Sequence, residues 1–165
     1  MSPDFVARLL DGRRDEGEAG LDVTRPADWP DASDAAFLRR RLEQMRADPE
    51  AQQWLVRALV RRRDGAMMGH AGFHGPPGTT GLSPGKVELG YTVFPSFRGK
   101  GYATEAAAAL MGWAEGQGVR RFVVSVAPGN EPSLAIVRKL GFVQTGEQWD
   151  EEDGLELVFE LDRSA

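Results

Sequence analysis

The chain has no cysteine among its 165 residues. That excludes disulfide scaffolds, thiol nucleophiles and cysteine-ligated zinc. A basic excess is also missing: Lys and Arg number 20 against 25 Asp and Glu, for a formal net charge of −5. Without a basic face to neutralise phosphates, general nucleic-acid binding is not expected. No apolar run approaches the roughly 20 residues of a membrane span, and the Met1 end carries no apolar signal-peptide core. A cytoplasmic protein without membrane contact is therefore expected. What is present is 41% hydrophobic and 27% charged residues, the mix of one globular domain, residues 1–165, able to bury its own core. Glycine is over-used, at 20 residues, about 12% against an average near 7%.

The pattern divides near residue 50. Pro3–Leu10 reads as a helix with a proline start and a stop at Gly12. Residues 11–34 read as a loop, in which Arg25-Pro26 and Trp29-Pro30 oppose helix. A second helix is expected from about Asp34 to Met45, with Ala35, Leu38, Leu42 and Met45 on one stripe. From Gln53 the text turns to strands: Trp54–Val60, a turn ending at Asp64-Gly65, and a return over Ala66–Phe73. A loop rich in Gly, Pro, Ser and Thr over His74–Lys86 follows. In Val87–Phe94, Val87, Leu89, Tyr91 and Val93 then alternate with Glu88, Gly90, Thr92 and Phe94.

The second half follows a β-α-β-α-β-β order. Ala103, Ala106, Ala107, Leu110 and Ala114 mark an amphipathic helix ending near Gly116. Arg121–Val126 is a nearly continuous apolar strand, as when both faces are covered. Asn130 caps a short helix that stops at Gly141. Phe142–Trp149 and Leu155–Leu161 pair across Asp150–Gly154. No internal repeat or low-complexity tract is present.

The sharpest feature is Arg98-Gly99-Lys100-Gly101-Tyr102-Ala103-Thr104-Glu105, lying between a strand and a helix. Its glycines permit conformations barred to other residues, and the helix start offers unpartnered N–H groups at the positive end of the dipole. Together they suit a phosphate or pyrophosphate, with Arg98 and Lys100 adding charge. P-loop spacing is absent, and the dinucleotide fingerprint would need glycine where Thr104 stands. A glycine loop with no ligand is the plain alternative.

Arg98-x-x-Gly101-x-Ala103 matches the acyl-CoA-binding motif of the GCN5-related N-acetyltransferases, the GNAT superfamily. Glu88-Leu89-Gly90-Tyr91, Tyr102–Ala106, and Asn130-x-x-Ser133 followed by Lys139-Leu140-Gly141-Phe142 resemble its ribosomal-protein N-acetyltransferase branch. The resemblance covers about residues 53–161, the cofactor-binding core; residues 1–50 form a helical acceptor-side region. It implies an α+β fold of three layers. A mixed, mostly antiparallel sheet with a splayed parallel strand pair would be flanked by about four helices. The family's usual strand before the first helix is not evident here.

The resemblance further implies acetyl-CoA as cosubstrate, lying between Val87–Phe94 and Phe122–Val126. Its pyrophosphate would rest on the amides of Gly99, Lys100, Gly101, Tyr102, Ala103 and Thr104, its pantetheine on the main chain of Tyr91, Thr92 and Val93, with Asn130 holding the arm. An amine would attack the thioester directly, the oxyanion stabilised by a backbone N–H of the splayed strand. Making the amine neutral at pH 7 costs about 4.6 kcal/mol for a lysine but only about 1 kcal/mol for an α-amine. Glu88 is the candidate base, unless it is a plain strand carboxylate. Ser133 is the candidate for steadying the leaving thiolate, unless it only bonds locally. Where many relatives carry a tyrosine acid, seven residues after the asparagine, this chain has Val137; its two tyrosines are Tyr91 and Tyr102.

Weaker signals remain. His70 and His74 sit four apart, but on a strand they stand about 13 Å apart, too far to share one ion. No metal is expected. His74 and Trp149 are candidates for the acceptor cleft, whereas Trp54 and Trp113 read as packing. Asp150–Gly154 lacks calcium-loop spacing and reads as a turn. The leading expectation is an N-acetyltransferase acting on a peptide N-terminus or a small amine, with a homodimer possible. The alternatives are a non-catalytic acyl-CoA-binding module and a nucleotide-dependent enzyme.

Overall fold

The computed structural model describes residues 1–12, 23–79, 81–151 and 154–164. Parts of the expected 11–34 loop and of the Asp150–Gly154 turn, residues 13–22 and 152–153, lie outside the described residues.

Helix α1 (Pro3–Leu10) opens on Ser2, whose hydroxyl accepts from the Phe5 N–H at 3.2 Å. Helix α2 runs over Ala32–Ala47, wider than expected at both ends. Its start is a reciprocal box: Asp31 Oδ1 accepts from the Asp34 N–H at 2.9 Å, and Asp34 Oδ2 from the Asp31 N–H at 3.4 Å. The expected strand at 54–60 is corrected. Asp48 caps a 3₁₀ turn over Pro49–Gln53, accepting from Glu50 and Ala51, and the Trp54 N–H continues it to Ala51. Trp54, Leu55 and Val56 are all buried, so a run packed on every side imitated a strand. Pairing starts only with β1 (Arg57–Val60), against β2 (Met67–Phe73).

Then follow β3 (Lys86–Val93), α3 (Tyr102–Gly116), β4 (Arg121–Val126), α4 (Glu131–Lys139), β5 (Val143–Asp150) and β6 (Gly154–Asp162). Each lies within two residues of its expected place. Among the described residues, six strands are ordered β1-β2-β3-β4-β6-β5. β3 and β4 run parallel, and the other neighbouring pairs run antiparallel. Among the described residues, this is the mixed sheet with one parallel pair and four α-helices that the resemblance implied.

Two apolar clusters make the three layers. Val87, Leu89, Phe122 and Val124 pack under Ala107, Leu110 and Met111 of α3 and Leu134 and Val137 of α4. On the other side, Val6, Leu9, Leu38 and Leu42 of α1 and α2 pack with Trp29, Met67 and Phe94. Trp54 and Trp113 are packing residues as expected, with ring centroids 4.8 Å apart. Phe73 and Phe122 are fully buried, and truncating either to alanine costs about 3–5 kcal/mol in such a setting. β5 forms the sheet's outer edge and is exposed along nearly its whole length. Among the described residues no helix is long and apolar enough to cross a membrane.

Candidate active site

The parallel pair holds together for only three residue pairs: Lys86 with Arg121, Val87 with Phe122, and Glu88 with Val123. Beyond them β3 stays paired to β2 and β4 to β6, but not to each other. The strands thus part, leaving the facing main-chain groups of residues 89–93 and 124–126 without ladder partners. Unpaired strand edges accept an extended chain as an added strand. A cavity of about 550 Å³ lies here, lined by Leu89 to Thr92 of β3, Val124 to Ala127, Asn130 and Ser133. That volume suits a substrate-sized ligand.

The glycine turn lies beyond the end of β3. Gly101 caps α3 at φ +82°, with no side chain bonding to the helix's first amides. A Cβ built on Gly99 or Gly101 would meet nothing within 4 Å. The turn is therefore open, with its amides unobstructed by side chains at these positions. Arg98 donates through Nε to the Val93 carbonyl at 2.9 Å, and Lys100 through Nζ to the Ser96 carbonyl at 3.1 Å. Both cations are tied to the turn that leads into the helix.

Glu88 is buried, 9% exposed, so it is not a solvated strand carboxylate. The Ser125 hydroxyl donates to its Oε1 at 2.6 Å, and His74 Nδ1 lies 3.5 Å from Oε2. Ser125 in turn accepts from Gln148 Nε2 at 3.0 Å, and the same amide donates to Glu156. Burial alone would raise the Glu88 pKa; contacts with His74 and Ser125 and the charge of Arg41 outweigh it and hold the carboxyl below its usual range.

The opposite wall is built of side chains. Asp34, Phe37 and Arg41 occupy one face of α2 and line the cavity with His70. His70 stacks on Phe37, with centroids 5.0 Å apart, and its Nε2 stands 3.6 Å from Asp34 Oδ1. Burial lowers the His70 pKa, with Arg41 adding to the effect and Asp34 opposing it. Arg41 is buried and donates to the Gln44 side chain at 2.8 Å and to the His74 carbonyl at 3.1 Å. Desolvation lowers its pKa to about 10.

Of the residues singled out from sequence, the structure brings His74, Tyr91, Thr92, Asn130 and Ser133 to the cavity wall. Asn130 caps α4, accepting from the Ser133 N–H at 3.2 Å. Tyr91 is the unexpected one. Distant from Val137 in sequence, it packs on the cluster holding Val137. Its phenol oxygen is buried without a hydrogen-bond partner. Burial raises its pKa, and the nearby Ser133 side chain opposes that. Trp149 is not brought to the cavity: it is 77% exposed on β5. Asp34, Phe37, Arg41 and Ser125 were missed, and His70 was weighed only as a metal ligand. Only Ser125, the one polar residue between Phe122 and Val126, left a signal in the sequence.

Comparison with known proteins follows the same lines. The family described as "Acetyltransferase (GNAT) domain" matches residues 18–143. An aminoglycoside N(6′)-acetyltransferase type 1 of Salmonella typhimurium is 30% identical over 120 residues, 71% of this chain and 79% of that one. The uncharacterized N-acetyltransferase YjdG of Bacillus subtilis is 28% identical over 120 residues, 70% of this chain and 67% of its own length. The crystal structure of a ribosomal-protein-alanine N-acetyltransferase from Brucella melitensis shares the fold. It has a TM-score of 0.64 and 20% identity, covering 98% of this chain and 96% of that one. With its parted parallel strands and three-quarters of its length inside the family match, this chain belongs to the GNAT acetyltransferases.

Proposed function

We propose that the protein transfers an acetyl group from acetyl-CoA to a primary amine, either the α-amine of a peptide or protein N-terminus or that of a small molecule. The observation that carries this is the parting of β3 and β4 beyond Glu88 and Val123, which leaves the main chain of residues 89–92 open on the cavity. The chain fits the donor at three kinds of group. Amides of Gly99 to Thr104, with Arg98 and Lys100, suit the diphosphate. Main chain at Tyr91, Thr92 and Val93 suits the pantetheine amides, beside Asn130. The buried phenol of Tyr91, beside Ser133, adds a polar spot on the same wall. Bound acetyl-CoA supplies an acetyl group activated as a thioester.

The protein's own residues do the rest. The proton lost by the amine is taken up at the Glu88–His74 pair, held at 3.5 Å. Ser133, in the first turn of α4, steadies the leaving sulfur, with the α4 dipole behind it. The acceptor enters from the α2 side, past Asp34, Phe37 and Arg41. Relatives named for ribosomal proteins and for aminoglycosides span both acceptor classes proposed. An α-amine needs the least deprotonation and is the better first candidate.

The test is thiol release from acetyl-CoA with a panel of peptide N-termini and small amines, beside calorimetry with CoA. The expected result is CoA binding, turnover with at least one α-amine, and a loss of about 100-fold or more in Glu88→Gln at unchanged CoA affinity. Binding without turnover for every amine would make the protein an acyl-CoA-binding module. No heat with CoA would remove the reading entirely.

A further inference from the structure

We propose that the atom receiving the amine proton is His74 Nε2, and that Glu88 acts behind it as a positioning residue. This rests on the transferase reading above and concerns the same cavity. Glu88 does not line the cavity, whereas His74 and Ser125, the two residues that hold its carboxylate, both do. Ser125 occupies Oε1, and Oε2 faces the imidazole Nδ1. A carboxylate this engaged, and held below its usual range by those contacts despite burial, is a weak base toward an ammonium group. It is well suited to fixing the tautomer of an imidazole, the side chain that titrates nearest neutrality.

His74 is built to be aimed. At the end of β2 its N–H donates to the Glu88 carbonyl at 2.8 Å, and its carbonyl accepts from Arg41 at 3.1 Å. Both backbone groups are therefore fixed, while the side chain remains 40% exposed. The ring uses space that only glycine leaves open: a Cβ on Gly90 would stand 3.2 Å from Nε2. Gly90 itself lines the cavity, one residue before the main chain assigned to the pantetheine. With Nδ1 turned to Glu88, Nε2 is the nitrogen left over Gly90, on the cavity wall. Glu88 from β3 and Arg41 from α2 are the charged groups facing His74; Asp34, Arg40, His70 and Glu156 line the same cavity. His70 is unsuited to the role, being 6% exposed with Nε2 against Asp34.

The balance is simple. The amine nitrogen uses its lone pair to form the C–N bond, the C–S bond breaks with its pair going to sulfur, and the proton released by nitrogen passes to Nε2. The imidazolium, paired with Glu88, then returns that proton to the thiolate, leaving amide, free thiol and neutral His74.

Three measurements test this. In His74→Ala, kcat should fall by about 100-fold or more at unchanged CoA affinity, with part of it restored by added imidazole. Gly90→Ala, which disturbs the ring without removing it, should lower kcat less. Nitrogen-15 NMR of the ligand-free protein should find the neutral His74 ring protonated on Nδ1, with that preference lost in Glu88→Gln. Unchanged turnover in His74→Ala, or a neutral ring protonated on Nε2, overturns the assignment while leaving the transferase intact. A wild-type protein that binds CoA but turns over no amine removes the transferase reading itself, and this assignment with it.

Discussion

The two walls of the cavity are built on opposite plans. On the β3–β4 side, the groups offered to a ligand are main-chain ones: the open edge of residues 89–92 and the amides after Gly99 and Gly101. On the α2 side they are side chains: Asp34, Phe37 and Arg41 from one helix face, His70 and His74 from β2 and its end. Main-chain groups are the same whatever the residue, so that wall suits a ligand that never changes. Side chains can be exchanged without moving the fold, so the other wall can specialise for an acceptor. Glu88 and His74 sit where the walls meet.

The sharpest way to break this contrast is at Gly101, whose φ of +82° admits glycine and strains a β-branched residue. Gly101→Val should cost roughly 1–2 kcal/mol in local strain, spent against the turn that presents the amides. CoA affinity by calorimetry should fall about 5- to 30-fold, with the acceptor KM little changed. A rise in acceptor KM at unaltered CoA affinity would show that the walls are not separate.

The same contrast explains what could be read from sequence. Main-chain recognition leaves a mark because it needs permission from particular residues: Gly99 and Gly101 had to be glycine, and Asn130 had to cap α4. Those positions, the strand order and the helices were accordingly legible. The α2 wall left almost no mark. Asp34 reads as a capping residue and Arg41 as one of many surface arginines until the sheet comes beneath them. Tyr91 was legible as a strand residue but not as the neighbour of Ser133, since 42 positions separate them and only the β3–β4 crossover closes that distance. The misplaced start of β1 has a different cause. Burial on all sides makes Trp54-Leu55-Val56 apolar, and apolarity alone does not distinguish a packed turn from a strand.

A smaller effect should come from His70, in the side-chain wall. Its folded pKa lies below the ordinary value, chiefly through burial. As pH falls through about 6.5 the unfolded chain takes up a proton that the folded chain declines, so stability drops with acidification. One proton is worth at most about 1.4 kcal/mol per pH unit. Melting curves between pH 7.5 and 5.5 should therefore show a decline that is shallower in His70→Gln. An equal slope in both proteins would mean that Asp34, 3.6 Å away, fully offsets the burial.

The smallest effect is expected at Trp149, which the sequence allowed near the acceptor. The structure sets it on the outer edge strand, across from Leu155, both rather exposed at 77% and 42%. A solvent-exposed cross-strand pair contributes only about 0.2–1 kcal/mol, and nothing on either cavity wall depends on it. Trp149→Ser should therefore shift stability by about 0.5 kcal/mol or less, and acceptor KM should stay within error. Should KM instead rise several-fold, the acceptor would have to reach from the α2 wall across Ser125 and Gln148 to the edge hairpin. The side-chain wall would then extend over half the sheet, and a long peptide would become a better acceptor than a compact amine.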